Sequence, residues 1–250
     1  MAIKSFKRYE KKYLLTKEQY EKLLPILLEY MNFDDHSDLD NNYNIFNIYY
    51  DTDTNAVIRH SISKPYYKEK LRLRSYKSPT KLNDKVFLEL KKKINGVVNK
   101  RRVILTLEEA YKFLETGTHP VTNDYVNNQV INEISHYLKY HEVNPKVYIS
   151  YSRKAFFAKN DRNFRVTFDS DILARRDTLS LEDGSFGYPI LDENYYLMEV
   201  KILGSIPLWF TSILSELRIY NTHYSKYGNE FMSYCLNKNY TYNKRGEKVC

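Results

Sequence analysis

Lys70-Leu71-Arg72-Leu73-Arg74 reads in period two. In a strand, successive side chains point to opposite faces, so the two leucines share one face and the three cations share the other. The same alternation recurs along the chain. Val86-Phe87-Leu88-Glu89-Leu90-Lys91-Lys92-Lys93 sets Glu89, Lys91 and Lys93 opposite Val86, Leu88 and Leu90. Phe164-Arg165-Val166-Thr167-Phe168-Asp169 gathers Arg165, Thr167 and Asp169, and Met198-Glu199-Val200-Lys201-Ile202 gathers Glu199 and Lys201. A solvated outer face would alternate in the same way, but such faces mix signs, and here cations dominate with a few acids standing among them. If the strands close into a barrel, the polar face becomes an interior, where packed like charges are costly unless an anion offsets them.

Working outward, strand-like runs cover roughly 5–15, 43–51, 66–77, 85–94, 97–105, 146–157, 163–170 and 195–203. Turn signals at Ser78–Asp84 and Asn95-Gly96 predict antiparallel pairing, and no βαβ rhythm appears. Helices lie between the strands. Thr16 with Gln19 and Thr106 with Glu109 form capping boxes, the first before Tyr20, Leu23, Leu24, Leu27, Leu28 and Met31 at helical spacing, the second before a short helix ending near Gly117. Pro25 inside the first helix is a kink signal. Asn128–Tyr140 reads as a further helix, and another starts near Pro207 with Ser205 as its candidate cap. Residues 34–42 read as an acidic, polar loop. The fold class expected is α+β, with one domain over 1–236 and a polar tail over 237–250.

Composition agrees with a packed domain. The 250 residues hold 42% hydrophobic side chains, 25 Tyr and 12 Phe, with only seven Gly and seven Pro, which argues against a disordered or collagen-like chain. Two cysteines, one of them Cys250, cannot build a disulfide framework, so a reducing compartment, the cytoplasm, is the expectation. Met1–Glu10 carries charge where a signal peptide needs an apolar run, and no stretch approaches the ~18 apolar residues of a membrane span. A net charge of +8 points to an anionic partner.

Other chemistries find little support. The six histidines are scattered, with no H-E-x-x-H, and neither cysteine has a C-x-x-C neighbour, so zinc is not expected. No P-loop occurs, and seven glycines are few for backbone phosphate cradles. Tyrosines beside lysines, as in Lys64-Pro65-Tyr66-Tyr67-Lys68, could stack on bases, but strand cores explain such residues, and nucleic acid is not the expected partner.

An ordered series of motifs resembles a known family over about residues 5–233: Phe6-Lys7-Arg8-Tyr9-Glu10-Lys11-Lys12-Tyr13, Ile48-Tyr49-Tyr50-Asp51-Thr52, Lys70–Arg74, Phe87–Lys91, Ser150-Tyr151-Ser152-Arg153, Phe164–Asp169, Leu197–Lys201 and Tyr224-Ser225-Lys226-Tyr227. The chain is similar to the VTC-type polyphosphate polymerase domains, a branch of the triphosphate tunnel metalloenzymes (the CYTH-like superfamily). The resemblance implies an antiparallel β-barrel tunnel of about eight strands with flanking helices, and a bore lined by Lys and Arg. It implies phosphate binding by Arg8, Lys12, Arg72, Arg74, Lys91, Arg153, Arg165, Lys201 and Lys226, with Tyr151 and Ser225 as hydrogen-bond donors. Glu199 would hold Mn²⁺ or Mg²⁺, and Arg72, Arg74, Lys91, Arg153, Arg165 and Glu199 would be catalytic. Arg72, Arg74, Lys91, Arg165 and Glu199 also stand on the polar faces read above; Arg8, Lys12, Arg153 and Lys226 rest mainly on the resemblance. Glu199 has a plainer reading as a salt-bridge partner of its strand face.

One departure from the superfamily separates its branches. Hydrolytic and cyclase members open with E-x-E-x-K, whereas Arg8-x-Glu10-x-Lys12 has Arg in place of the first acid, leaving fewer carboxylates for a metal that activates water. The expected activity is therefore metal-dependent transfer of the γ-phosphoryl group of ATP to a growing polyphosphate chain. A tunnel-type inorganic or RNA triphosphatase and a non-catalytic polyphosphate-binding module are the alternatives. The basic residue expected after the Tyr-Asp strand is left unassigned between Arg59 and His60. Acceptor, oligomeric state and any membrane partner are not encoded.

Overall fold

The computed structural model describes residues 9–34, 42–95 and 97–238, with two short strands at 241–242 and 248–249. Most of the expected loop at 34–42, Gly96 of the Asn95-Gly96 turn, and most of the expected tail lie outside the described residues.

The strands are β1 (Tyr9–Thr16), β2 (Met31–Phe33), β3 (Tyr43–Asp51), β4 (Tyr67–Ser75), β5 (Lys85–Ile94), β6 (Val97–Thr106), β7 (Asn144–Ala158), β8 (Arg165–Arg175), β9 (Tyr188–Pro189), β10 (Tyr195–Ile202), β11 (Asn221–Thr222), β12 (Thr241–Tyr242) and β13 (Lys248–Val249). The helices are α1 (Lys17–Tyr30), α2 (Ala56–Ile62), α3 (Leu107–Thr116), α4 (Tyr125–Tyr140), α5 (Leu208–Glu216) and α6 (Lys226–Lys238). Strands β1 to β11 form one antiparallel sheet in the order β11-β1-β10-β8-β7-β3-β4-β5-β6, with β2 added to β7 and β9 to β8. The eight long strands are those expected from the alternation.

Both capping boxes form: Thr16 Oγ1 accepts from the Gln19 amide and Thr106 Oγ1 from the Glu109 amide. Gly117 closes α3 at φ 72°, a left-handed conformation that glycine adopts without strain. Helix α1 runs on through Pro25, and α4 starts at Tyr125, ahead of the expected Asn128, because Asp124 caps it. The expected Ser205 cap is not used; Pro207 is the first residue before α5 and no side chain caps that helix. Two helices were not expected, α2 and α6.

The sheet carries apolar side chains outward to two separate helical layers. Leu71, Leu73, Leu88, Leu90 and Val103 pack under α3 and α4, against Phe113, Ile131 and Ile134. Tyr13, Leu15, Val166, Met198 and Val200 pack under α1 and α5, against Leu23, Leu27 and Phe210. Each fully buried Leu or Phe here contributes roughly 1.5–3 kcal/mol of burial. A third cluster lies on the other, inner face, where Tyr224, Tyr227 and Phe231 at the start of α6 meet Ile45, Ile149, Ile172 and Leu197. The ladders shift register in β7 between Ser150 and Ser152 and in β3 between Tyr49 and Tyr50, irregularities of the kind that let strands bend and twist. The hydrogen-bonded path ends at β11 and β6, yet the sheet curls far enough that the charge of Lys91 on β5 acts on Glu10 of β1. Among the described residues no ladder joins the two edges, and β1 and β5, each one strand in from an edge, face one another through this pair of charges. No helix is long and apolar enough to cross a membrane.

The loop between β8 and β9 is fixed by Arg175. Its guanidinium lies 3.4 Å from the centroid of the Tyr148 ring and 3.9 Å from that of Phe186, and it donates to the carbonyl oxygens of Thr178, Ser180, Gly184 and Phe186. Four carbonyl dipoles thus take the place of a carboxylate around a buried cation. The loop returns at Gly187, whose φ is 143° and where a Cβ would fall 2.2 Å from the Ala174 carbonyl oxygen. Gly187→Ala is expected to destabilise the fold by about 2–4 kcal/mol. Gly117→Ala, with nothing within 4 Å of its Cβ, should cost only about 1 kcal/mol. Denaturant melts of both variants check this, and equal losses would refute the steric account of Gly187.

Candidate functional site

Pairing partners in an antiparallel ladder share a face, so the register fixes which side chains meet. Arg72 stands opposite Tyr49 and Glu89, Glu89 opposite Arg102, and Lys70 opposite Lys91, which faces Lys100. In the other half, Lys12 stands opposite Glu199, Glu10 opposite Lys201, Glu199 opposite Thr167, and Arg153 opposite Asp169. All of these lie on the inner face.

Two carboxylate-centred clusters organise the charges. In the first, fully buried Glu89 accepts from Arg72 Nε at 2.7 Å and Arg102 Nε at 2.6 Å, with Lys100 Nζ at 3.3 Å and Arg74 Nε at 4.0 Å. Arg74 is held further by the Asn47 side-chain oxygen at 2.8 Å and the Tyr151 hydroxyl at 3.1 Å. Burial opposes ionisation of Glu89, but Arg72, Arg74, Lys100 and Arg102 outweigh it and hold its carboxyl far below the usual range.

In the second cluster, Arg153 donates to both oxygens of Asp169 at 2.6 and 2.7 Å, the bidentate geometry of a guanidinium fork, and Lys226 pairs with Asp169 as well. Glu199 lies 3.1 Å from Lys12, 3.3 Å from Arg153 and 3.3 Å from Lys226. Here too burial disfavours the charged carboxylate, and Lys12, Lys226 and Arg153 overcome it. Asp169 is likewise held low, chiefly by Arg153 against burial. Glu199 does not stand alone: Asp169 shares two of its partners, Arg153 and Lys226, and Glu10 reaches Lys12 at 3.6 Å.

Between the clusters lie further lysines, and two of them, Lys70 and Lys91, have no carboxylate within ion-pair distance among the described residues. Lys70 is pushed down to about 7 by burial and by the like charges of Lys91 and Lys68, with its amine 5.9 Å from the centroid of the Tyr227 ring. Glu10 favours the charged form of Lys91, yet burial and the neighbouring Lys12 and Arg72 keep it below its ordinary value. Lys201, 3.9 Å from Glu199, is pushed down to about 8 by burial.

The structure thus brings together Lys12, Arg72, Arg74, Lys91, Tyr151, Arg153, Glu199, Lys201 and Lys226 on one face. Arg165 shares that face but sits at its rim, paired with Asp34 and with its side chain 43% exposed. Ser225 is spent locally, its hydroxyl accepting from the Gly228 amide as the cap of α6. Arg8 lies outside the described residues. Sequence reading overlooked Lys70, Lys100 and Arg102 as site residues; Lys100 and Arg102 alternate in Val97–Thr106, and the register from the Asn95-Gly96 turn would have placed them beside Lys91 and Glu89. It also overlooked what delivers Lys226. Glu230, one turn on, is buried and accepts from Arg176 at 2.7 and 2.8 Å and from the Tyr188 hydroxyl at 2.7 Å, while the Tyr227 hydroxyl donates to Asp51. Tyr227, Phe231 and Tyr234 at helical spacing were the available signal for α6.

The donor set bears on a metal. No group of three or more His, Cys, Asp or Glu among the described residues is placed to hold an ion. One carboxylate, water and phosphate oxygens are, however, the usual ligands of Mg²⁺ at phosphate sites. Glu199, buried on the bore face near Glu10, fits an ion that arrives with a phosphate ligand and takes it as a single protein carboxylate.

Comparison with known proteins places this geometry. A family model, the VTC domain, matches residues 7–234. Among solved structures, a candidate adenylate cyclase from Bacillus halodurans shares the fold, with a TM-score of 0.52, 16% identity, and 88% of this chain and 95% of that one covered. A protein from Pyrococcus horikoshii OT3 (TM-score 0.45, 13% identity, 91% and 99% covered) and a Mimivirus capping enzyme triphosphatase (TM-score 0.34, 9% identity, 85% and 88% covered) are more distant. No curated protein sequence matches. With the family model matching residues 7–234 of its 250, the chain belongs to the VTC domain family.

Proposed function

We propose that this chain is a metal-dependent polyphosphate polymerase, transferring the γ-phosphoryl group of ATP to a phosphate acceptor within the bore. One observation carries the reading: an enclosed face holds more cations than its carboxylates can pair, with Lys70 and Lys91 directly opposed. Opposed like charges destabilise a ladder, and an anion between them removes the penalty.

Phosphoryl transfer asks for positioning and charge stabilisation more than for covalent help. Arg72, Arg74, Arg153 and Lys226, each already oriented by a carboxylate or hydroxyl partner, present fixed donors to phosphate oxygens without reorganising. Glu199 would hold Mn²⁺ or Mg²⁺, which supplies charge neutralisation on the triphosphate. The pairing of the carboxylates supports a phosphate rather than a water acceptor. Glu89, Asp169, Glu199 and Glu10 are each paired with a cation, so none stands ready as a base for water. A phosphate acceptor is already ionised at neutral pH and needs no such base. We also infer that residues 1–236 act as one unit and that the chain works in the cytoplasm.

Three outcomes test this. Purified protein with ATP and Mn²⁺ should make long phosphate chains on a gel; orthophosphate alone would identify a triphosphatase, and tight polyphosphate binding without turnover a binding module. Arg72→Ala and Arg74→Ala should lose about 10²–10³-fold in rate while folded, and rim-lying Arg165→Ala less than about 10-fold.

Glu199→Gln should need far more Mn²⁺ to reach its maximal rate. Glu89→Gln should instead lower stability by about 3–5 kcal/mol, by unpairing buried cations, with the metal requirement unchanged. A Glu199→Gln protein that melts lower but titrates with Mn²⁺ like the wild type would make Glu199 a salt-bridge partner.

Lys70 gives a pH signature. Its amine, at about 7, lies below the ordinary 10.5, so the unfolded chain binds more protons and the free protein gains stability as pH rises from about 7 to about 10.5. Metal-free ATP bound at pH 8 should recharge it, with uptake of up to about one proton. Calorimetry in buffers of different ionisation heat measures this uptake, and Lys70→Met should remove most of it. Equal uptake in the variant would exclude Lys70 as the proton acceptor.

A further inference from the structure

Beyond Glu89 the inner face changes character. Phe87 on β5 and Ile104 on β6 stand opposite each other, two residues along the ladder from the Glu89 and Arg102 pair and on the same face. Tyr76, just past the end of β4, packs edge-on against Phe87 with ring centroids 5.2 Å apart, and Tyr43 lies 6.1 Å from Tyr76. Arg102 joins this surface to the charges: its guanidinium lies 4.4 Å from the centroid of Phe87, donates to the Tyr76 hydroxyl at 3.0 Å, and bonds Glu89.

Exposure distinguishes this corner. Ile104 is 54% exposed, while its chain neighbours Val103 and Leu105, turned to the outer face, are 1% and 4% exposed. Phe87, Tyr76 and Tyr43 are half-buried. Rings and an aliphatic side chain are therefore left open to solvent on the same face as Arg72, Arg74 and Arg102. The ligand that matches this pairing is amphipathic, with a flat apolar group at one end and several negative charges at the other.

We propose that Tyr76, Phe87 and Ile104 form the docking surface for the base of a nucleoside triphosphate, whose phosphates run inward to Arg102, Arg72 and Arg74. The proposal rests on the reading of the bore as a triphosphate site and adds the orientation of the donor. The base lies at the β5–β6 mouth, and the γ-phosphate points toward Arg153 and Lys226. Because the surface offers rings and an alkyl group, with the Tyr76 hydroxyl already accepting from Arg102, stacking rather than recognition of the base edge holds the nucleoside. Adenine and guanine nucleotides should therefore bind within a few-fold of each other.

Calorimetry on the full chain with Mg²⁺ tests this, comparing an ATP analogue uncleavable between the β and γ phosphates with inorganic tripolyphosphate. Ile104→Ser should weaken the analogue about 5-fold and Ile104→Trp should tighten it by a similar factor. Tripolyphosphate should stay within two-fold in both variants. Ile104 is exposed, so neither substitution threatens the fold, and a gain in affinity cannot arise from misfolding. Phe87→Leu should weaken the analogue about 5–50-fold. Analogue affinity unchanged in all three variants, or both ligands shifting in parallel, would overturn the base site and leave the triphosphate bore standing. If wild-type protein binds neither ligand, the bore reading itself fails and the base site falls with it.

Discussion

Holding like charges together in an enclosed space is the constraint on which the rest of this molecule depends. Two cations 4 Å apart repel by about 4 kcal/mol at an effective dielectric near 20, and ion pairs taken out of water return little net stability. The bore therefore cannot be what folds the chain. That work falls to the opposite side of the same strands, where leucines and valines of β4, β5, β8 and β10 bury under two helical layers. Period-two alternation lets one strand do both jobs, apolar outward for stability and charged inward for chemistry. Carboxylates are then set where guanidinium groups crowd most, Glu89 amid Arg72, Arg74 and Arg102, and Asp169 against Arg153.

A helix supplies what strands cannot. Strand side chains reach the bore only from its wall, whereas α6 lies on the inner face and brings Lys226 to both Asp169 and Glu199. Its position is fixed by buried polar contacts: Glu230 with Arg176 and Tyr188, and Tyr227 with Asp51, whose carboxylate also accepts from the Val57 and Ile58 amides at the start of α2. Arg176 follows directly on Arg175, so the carbonyl cage that orders the β8–β9 loop also sets the anchor of α6. The position of Lys226 in the bore is thus tied to the β8–β9 loop through Arg176 and Glu230.

Much of this was legible in the sequence because the signals were local. Alternation at Lys70–Arg74 and Met198–Ile202 gave the faces correctly, and both capping boxes marked real helix starts. Alternation assigns a face but not a depth along the strand, and for that reason Arg165 read as a central residue while it stands at the rim with Asp34. Depth depends on shear between distant strands, which no local pattern carries. Ser225 matched a motif whose hydroxyl serves the helix that follows, and that helix was missed because Gly228 and Asn229 dilute its apolar spacing. The second acid beside Glu199 was visible on the face of β8, but its sharing of Arg153 and Lys226 needed the register of β7 and the position of α6.

The division between arginine and lysine follows from the same constraint. Arg72, Arg74, Arg102 and Arg153 are each fixed by a carboxylate, amide or phenol oxygen, as suits a group that stays charged and binds through a rigid fork. Lys70 and Lys91 sit between the carboxylate clusters with no carboxylate at ion-pair distance among the described residues, and both are displaced toward loss of a proton, Lys91 in spite of the charge of Glu10. Arginines at these two positions would stay charged at any physiological pH, and the empty bore would carry their full repulsion. At Lys70, pushed down to about 7, the free protein sheds charge as pH rises past neutrality and regains it when an anion enters, so occupancy and protonation rise together there. This coupling removes the repulsion of one cation from the empty bore and restores that charge where the ligand's own charge offsets it.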